Sequence, residues 1–210
     1  MIQAAKFWDG VAAKYATSEI KDPEGYQFTL ERTRSYLGSQ DKVLEIGAGT
    51  GSTALELAPA VEHITITDVS PEMIRIGKAK ADEQGIGNVD FQVTDAKLHD
   101  VGGPYDAILA HNVLHLVEDL PGVLGRVRDL LAPGGVFISK TFCKPTQGGP
   151  WFYYAMRFAL PLMQMVGKAP YVAIMSVEEF EAILTEQGFT IVESGNFPAK
   201  ELRRYVVARR

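Results

Sequence analysis

The chain has 210 residues, 46% of them hydrophobic, which suits one globular domain with a buried core. It carries 21 Lys and Arg against 26 Asp and Glu, a formal net charge of −5. Neutralising phosphates takes a surplus of cations on one face, so the balance argues against a nucleic-acid partner and for a small-molecule or lipid substrate.

Residues 1 to about 40 read as two helices that cover the rest, with Trp8, Val11, Ala12 and Tyr15 on one stripe and Phe28, Leu30 and Tyr36 in the second. From residue 41 to 142, short β-branched runs alternate with segments of helical period, the signature of βαβ units around a parallel sheet. The strands expected are 42–47, 63–68, 89–95, 105–111 and 135–142. Ser70 and Pro71 open one intervening helix, Gly85 closes it, and the Pro133-Gly134-Gly135 turn is expected to close another. Residues 143–175 form a connection of about 33 residues, far beyond the usual 2 to 6, and read as an insertion. The last stretch, 176–210, reads as a helix opened by a Ser176/Glu179 capping box, then strands at 189–195 and 202–210.

The most informative segment is VLEIGAGTGSTALELA, an apolar strand running into Gly47, Gly49 and Gly51 and then a helix. Glycines serve a tight turn and let a ligand approach bare backbone, and the helix start adds free N–H groups. Asp68 follows at the end of the second strand, where a carboxylate accepts both hydroxyls of a ribose. A dinucleotide site is the competitor. Ser52 stands where that pattern wants a third glycine or alanine, and Glu45 would repel a pyrophosphate. The same carboxylate suits a ligand bearing a sulfonium and an α-ammonium.

The run E-x-G-x-G-x-G after the first strand resembles motif I of the class I S-adenosylmethionine-dependent methyltransferases. The likeness continues in order through Asp68, Asp95-Ala96, YDAILAHNVLHLVED and LLAPGGVFIS. It implies one Rossmann-like α/β three-layer domain around a seven-stranded sheet of order 3-2-1-4-5-7-6, the last strand antiparallel. It also implies S-adenosylmethionine as cofactor and S-adenosylhomocysteine as product. Carried over by position, Glu45, Gly47, Ala48 and Gly49 would serve the methionine end, Asp68 the ribose, Val69, Met73, Asp95 and Ala96 the adenine, and Gly51 and the backbone carbonyl of His111 the cofactor as well. Tyr15 resembles a tyrosine that closes over the cofactor, or else belongs to a helix face packed on the core.

Methyl transfer is an in-line displacement that needs alignment above all, and a base only where the acceptor must lose a proton. His111 and His115 follow the fourth strand at its carboxyl end and are the candidate bases, or else structural histidines; His63 and His99 are placed less well. Their i, i+4 spacing does not make a zinc site, because His111 should still be in the strand and no cysteine cluster supplies further ligands. No metal is expected, and Cys143, the single cysteine, reads as a small buried hydrophobe. HNVLH replaces the Pro-Pro-aromatic motif of nucleic-acid and amide methyltransferases, which directs attention to small-molecule and lipid acceptors.

Within the insertion, WFYYAMRFALPLMQMV is dense in aromatics and methionine, and no acid occurs between Asp129 and Glu178. Trp151, Tyr153, Tyr154 and Arg157 are the candidate substrate residues. The segment reads as an apolar cap over the pocket, or more sharply as a peripheral membrane contact through 151–168. The function expected is methyl transfer to a small-molecule or lipid-like hydrophobic acceptor. The alternative is a catalytically silent cofactor-binding subunit of the same fold. The absence of a secretory leader pattern, of a 20-residue apolar run and of paired cysteines suits a cytoplasmic protein.

Overall fold

The computed structural model describes residues 2–145, 151–165, 168–197 and 202–210, and for residues 2–3 and 151–157 the backbone alone. Two helices, α1 (Ile2–Ala16) and α2 (Pro23–Arg34), precede the alternating region β1 (Lys42–Ile46), α3 (Ser52–Leu57), β2 (His63–Asp68), α4 (Pro71–Gln84), β3 (Val89–Val93), β4 (Tyr105–His111), α5 (Leu120–Leu130) and β5 (Leu131–Phe142). Helix α6 (Trp151–Met165) lies in the long connection, followed by α7 (Val177–Glu186), β6 (Thr190–Asn196) and β7 (Arg203–Arg209).

The seven strands form one sheet of order β3-β2-β1-β4-β5-β7-β6. Strands β1 to β5 pair in parallel, and β7 runs antiparallel to both β5 and β6, as the motif resemblance implies. Each face of the sheet buries its own apolar layer. Leu30 of α2, Leu55 and Leu57 of α3 and Ala81 of α4 cover Val43, Ile64, Ile66 and Ile138 on one face. Leu124 and Val127 of α5 and Phe180 and Leu184 of α7 cover Leu44, Ile108, Phe137 and Val206 on the other. The central strands are apolar on both sides because both faces are covered, which is why they read as continuous runs rather than alternating ones.

The expected helix starts hold. Ser70 accepts from the Met73 amide, Gly85 takes a left-handed conformation at φ 67°, and the Ser176/Glu179 box closes in both directions. The Pro133-Gly134-Gly135 turn does not end a helix, however. Helix α5 stops at Leu130, Leu131 already pairs with Tyr105, and pairing resumes at Val136 with Ala107. The turn is a bulge looped out of β5, its Gly134 at φ 77°, because Pro133 has no amide to donate to the ladder. Strand β3 likewise ends at Val93, which leaves Asp95 in a loop.

Helix α2 is fastened to the far edge of the sheet. Arg32 Nε donates to both carboxylate oxygens of Glu193 on β6, at 2.8 and 2.9 Å, and the Tyr36 hydroxyl donates to the same carboxylate. The Arg32 bond, then Tyr36, hold the Glu193 carboxyl below its ordinary value of 4.5. A carboxylate with a lowered pKa stabilises the fold above its unfolded pKa and loses that contribution as pH falls through the folded value. Glu193→Gln should therefore lower the melting temperature at pH 7, and by progressively less as pH falls through the lowered pKa of Glu193. Thermal melts of both proteins across that range test the link.

Candidate active site

The carboxyl ends of the parallel strands open onto a cavity of about 580 Å³, within the range of small-molecule sites. Its floor is the turn after β1. Gly47 and Gly49 both adopt φ +59°, and a Cβ on Gly47 would lie 2.3 Å from Val113 Cγ2. Over Gly49 sits the ring of Tyr15, whose Cε1 would be 3.2 Å from an added Cβ. Helix α1 thus reaches across the glycine turn. Desolvation first, then the Glu45 and Asp68 carboxylates, raise the Tyr15 phenol above its ordinary pKa.

Asp68, at the end of β2, organises the turn. Its Oδ2 accepts from the Gly49 amide at 2.8 Å and its Oδ1 from the Ser70 amide at 2.9 Å. Burial raises its pKa, against the lowering effect of these amides. A carboxylate offers about four acceptor positions, so each oxygen keeps one for a ligand hydroxyl. Ser70 continues the chain: its hydroxyl donates to Asp9 Oδ1 of α1 at 2.5 Å, and the Glu72 amide donates to the same oxygen at 3.1 Å. Asp9 is therefore a second cap on α4, where the positive end of the helix favours it. It escaped the sequence reading because its partner lies some sixty positions away.

The structure brings most of the expected residues to this cavity: Tyr15, Gly47, Gly49, Asp68, Val69, Met73, Asp95, Ala96, His111 and His115 are on its wall. Glu45, Ala48 and Gly51 are not on the wall. Glu45 lies 2% exposed behind it, its Oε1 3.3 Å from His111 Nδ1, and it acts on Tyr15 of the wall as well. Gly51 begins α3 at φ 70° and faces Phe91 and Ile66, a packing role. The side chains of Trp151, Tyr153, Tyr154 and Arg157 lie outside the described residues.

His115 is held neutral: burial first, then Arg203, push its pKa down to about 4. Its carbonyl accepts from the Ala173 amide at 2.7 Å, and the Lys144 amide donates to Met175 at 2.8 Å, so the long connection is stitched down beside the cavity. His63 pairs with Asp90 at 3.1 Å at the opposite ends of the strands, and His99 is not on the cavity wall. Cys143 is buried, and that burial raises its thiol pKa to about 11, which rules out a ready nucleophile. Among the described residues, no group of three or more His, Cys, Asp or Glu is arranged to hold a metal ion.

Trp8, which the sequence places only on the apolar stripe of the first helix, also lines the cavity, as do Asn112, Phe142 and Arg203. Asn112 holds a left-handed φ of 59° as the chain leaves β4, a conformation asparagine tolerates better than most residues. For Arg203 a signal did exist. If the last strand is antiparallel, its first residue, not its last, belongs at the carboxyl edge of the sheet.

Residues 44–137 match a family model described as a methyltransferase domain. That stretch is a methyltransferase domain, as the motif resemblance implies. A relative in Mycobacterium tuberculosis, named an uncharacterized methyltransferase, is 30% identical over 116 residues, 55% of this chain and 57% of that one. A tRNA 5-carboxymethoxyuridine methyltransferase of Escherichia coli is 34% identical over 112 residues, 51% of this chain and 42% of that one. A reducing polyketide synthase of Preussia isomera is 36% identical over 105 residues, 46% of this chain and 4% of that one. The chain thus spans less than two thirds of the length of these relatives. Because one of them is named for tRNA, the charge argument against a nucleic-acid partner gains no support from the relatives.

The fold is shared more widely. The N-methyltransferase NodS of Bradyrhizobium japonicum, solved with S-adenosyl-l-homocysteine, superposes with a TM-score of 0.71 at 18% identity, covering 97% of this chain and 98% of that one. The [4+2]-cyclase SpnF superposes with a TM-score of 0.76 at 17% identity, covering 99% and 94%. At such identities the likeness speaks for the fold alone.

The family's cofactor is S-adenosylmethionine, and the residues present fit it. A Cβ would fill the turn at Gly47, and Asp68 retains acceptor positions for two ribose hydroxyls. Asp9 steadies that carboxylate through Ser70. We expect Asp9→Ala to weaken S-adenosylhomocysteine binding by about 10-fold, on the order of one charged hydrogen bond. The faster loss should be in the dissociation rate, since α1 covers the site. Stopped-flow dissociation from Asp9→Ala and Asp9→Asn tests this, the asparagine keeping one acceptor and recovering part of the loss.

Proposed function

We propose that this protein transfers a methyl group from S-adenosylmethionine to a small hydrophobic or lipid-like acceptor. The observation that carries the reading is the two-part cavity. Its β1–β2 side holds the glycine turn and Asp68, and its β5–β7 side, lined by His115 and Phe142, lies where the chain leaves the sheet for α6. Gly47 and Gly49 are assigned to the methionine end, with Glu45 and Ala48 supporting them from behind the wall, Asp68 to the ribose, and Val69, Met73, Asp95 and Ala96 to the adenine. Tyr15 closes the site from above. The bound cofactor supplies an activated methyl on sulfur. The chain's own contribution is alignment and exclusion of water, and proximity of this kind is worth up to ~7–11 kcal/mol.

His111 and His115 are the candidate acceptor-side groups. His115, neutral with a pKa near 4, orients an acceptor by hydrogen bonding rather than removing a proton from it at pH 7. His111 is oriented by Glu45 and is the better placed of the two to take a proton.

Helix α6, with Trp151, Tyr153, Tyr154 and Arg157, is assigned to the acceptor. Phe158, Leu162 and Met165, at i, i+4 and i+7, are 87%, 64% and 83% exposed. Such a stripe, with Lys168 beyond it and no acid from residue 130 to 177, suits contact with an anionic lipid surface that supplies the acceptor. Among the described residues no helix is long and apolar enough to cross a membrane.

Two measurements test the reading. Calorimetry should show S-adenosylhomocysteine binding and no NAD binding. Replacing residues 146–167 by a short Gly/Ser linker should spare that binding and abolish methyl transfer into a total lipid extract. Binding without any transfer by the intact chain would favour a catalytically silent cofactor-binding subunit. Sedimentation with vesicles containing phosphatidylserine should show salt-sensitive binding, lost in Phe158→Ser, Met165→Ser; no binding at low salt removes the lipid-surface assignment.

A further inference from the structure

Ala4, Trp8 and Tyr15 of α1 all line the cavity. At i, i+4 and i+11 they fall within about 40° of one another around the helix, so α1 turns a single stripe toward the site. We propose that Trp8 is a cofactor-binding residue whose indole covers the purine of S-adenosylmethionine, which makes α1 the roof of the nucleoside half of the site. The inference rests on the assignment of the adenine to Val69, Met73, Asp95 and Ala96 and adds the face that covers it.

Two anchors fix the direction in which α1 crosses the sheet. Near its end, the Tyr15 ring sits over Gly49 in the turn after β1. Closer to its start, Asp9 Oδ1 accepts from the Ser70 hydroxyl at 2.5 Å and from the Glu72 amide at 3.1 Å, where α4 begins after β2. This end of the sheet runs β3-β2-β1, so α1 extends from the glycine turn toward the ends of β2 and β3, away from β5 and β7. Trp8, next to Asp9, therefore belongs to the ribose and adenine side. Val69 and Met73 flank the same capped start of α4 and share the cavity wall with Trp8. The ribose acid is tied to this roof as well: Asp68 Oδ1 accepts from the Ser70 amide at 2.9 Å, and the hydroxyl of the same serine donates to Asp9.

An indole suits this place. Trp8 is half-buried, and the Phe7 ring packs against it nearly perpendicular, centroids 5.2 Å apart at 88°, which restrains its orientation. A purine presents a flat π-face, and tryptophan covers such a face with a large rigid area at little cost in side-chain entropy. Stacking of this kind tolerates any base, because every base has a π-face. Trp8 therefore contributes affinity for the nucleoside rather than the choice of base.

Calorimetry with S-adenosylhomocysteine and with 5′-methylthioadenosine, which keeps the nucleoside and lacks the amino acid, provides the test. Trp8→Ala should weaken both ligands by the same factor, about 5- to 150-fold, the range for removing one aromatic from a base stack. Trp8→Phe should recover most of that loss, and Trp8→Leu, which keeps apolar bulk without a ring, little of it. A second readout leaves α1 unaltered: in Trp151→Phe, where Trp8 is the remaining tryptophan, either ligand should quench the indole emission and shield it from acrylamide. No emission change in that variant, unchanged affinity in a folded Trp8→Ala, or full recovery by leucine overturns the proposal. A loss confined to S-adenosylhomocysteine also overturns it and moves Trp8 to the methionine end. If the unaltered chain binds neither ligand, the nucleoside assignment of the cavity itself fails and takes this inference with it.

Discussion

Asp68→Ala should weaken S-adenosylmethionine binding by about 10- to 150-fold, the equivalent of charge-assisted hydrogen bonds worth ~1.5–3 kcal/mol. The carboxylate has two duties in this structure, and both are lost. It would accept the ribose hydroxyls, and it already accepts the Gly49 and Ser70 amides that shape the turn. Asparagine should not rescue it. The amide of Asp68→Asn brings an NH₂ group toward one of two backbone N–H donors, and donor facing donor leaves both unsatisfied. Calorimetry on the folded variants decides this. Unchanged affinity in Asp68→Ala would falsify the ribose assignment, whereas full rescue by asparagine would mean that the backbone amides matter less than the geometry indicates.

Gly47→Ala should be the most damaging of the single-methyl substitutions. The φ of +59° costs an L-residue ~1–2 kcal/mol, and the new Cβ would lie 2.3 Å from Val113 Cγ2 and 2.8 Å from its Cβ. Overpacking of this kind typically costs ~1–3 kcal/mol, so the sum is about 2–5 kcal/mol. At ~2–4 °C per kcal/mol for a chain of this size, the melting temperature should fall by roughly 4–20 °C. Gly85→Ala supplies the comparison. Gly85 has φ +67° but nothing within 4 Å of an added Cβ, so it isolates the backbone cost. The difference between the two melting temperatures then measures the collision with Val113. If Gly47→Ala melts no lower than Gly85→Ala, the turn and the start of the next segment adapt more readily than the packing indicates. Cofactor binding should fail in Gly47→Ala alone, since only that turn forms the cavity floor.

Several parts of this molecule were legible from local pattern. The β-branched runs of β1, β2 and β4, the glycines of the turn after β1, the Ser70 and Ser176 caps and the strand-end Asp68 all express physics acting over a few neighbouring residues. Side-chain period, a missing Cβ and a hydroxyl three residues from an amide are visible without tertiary structure. The sheet order came instead through the motif resemblance. The extra length of β5 was not legible, because Leu131 is drawn into the ladder by Tyr105, a partner on another strand.

What only the tertiary structure decided is how distant residues meet. Glu45 reads from its motif as a ligand contact, yet it lies behind His111, because the burial of β1 between β2 and β4 carries its side chain below the cavity wall. Asp9 reaches Ser70 once α1 packs on α4, and Arg203 reaches the cavity once β7 inserts antiparallel beside β5. Sequence alone determined the glycine motif, the parallel α/β alternation and the acid at the end of the second strand, since each is encoded in a short contiguous window. Tertiary structure decided which charged residues line the cavity, since that depends on the order and direction of strands brought together from opposite ends of the chain.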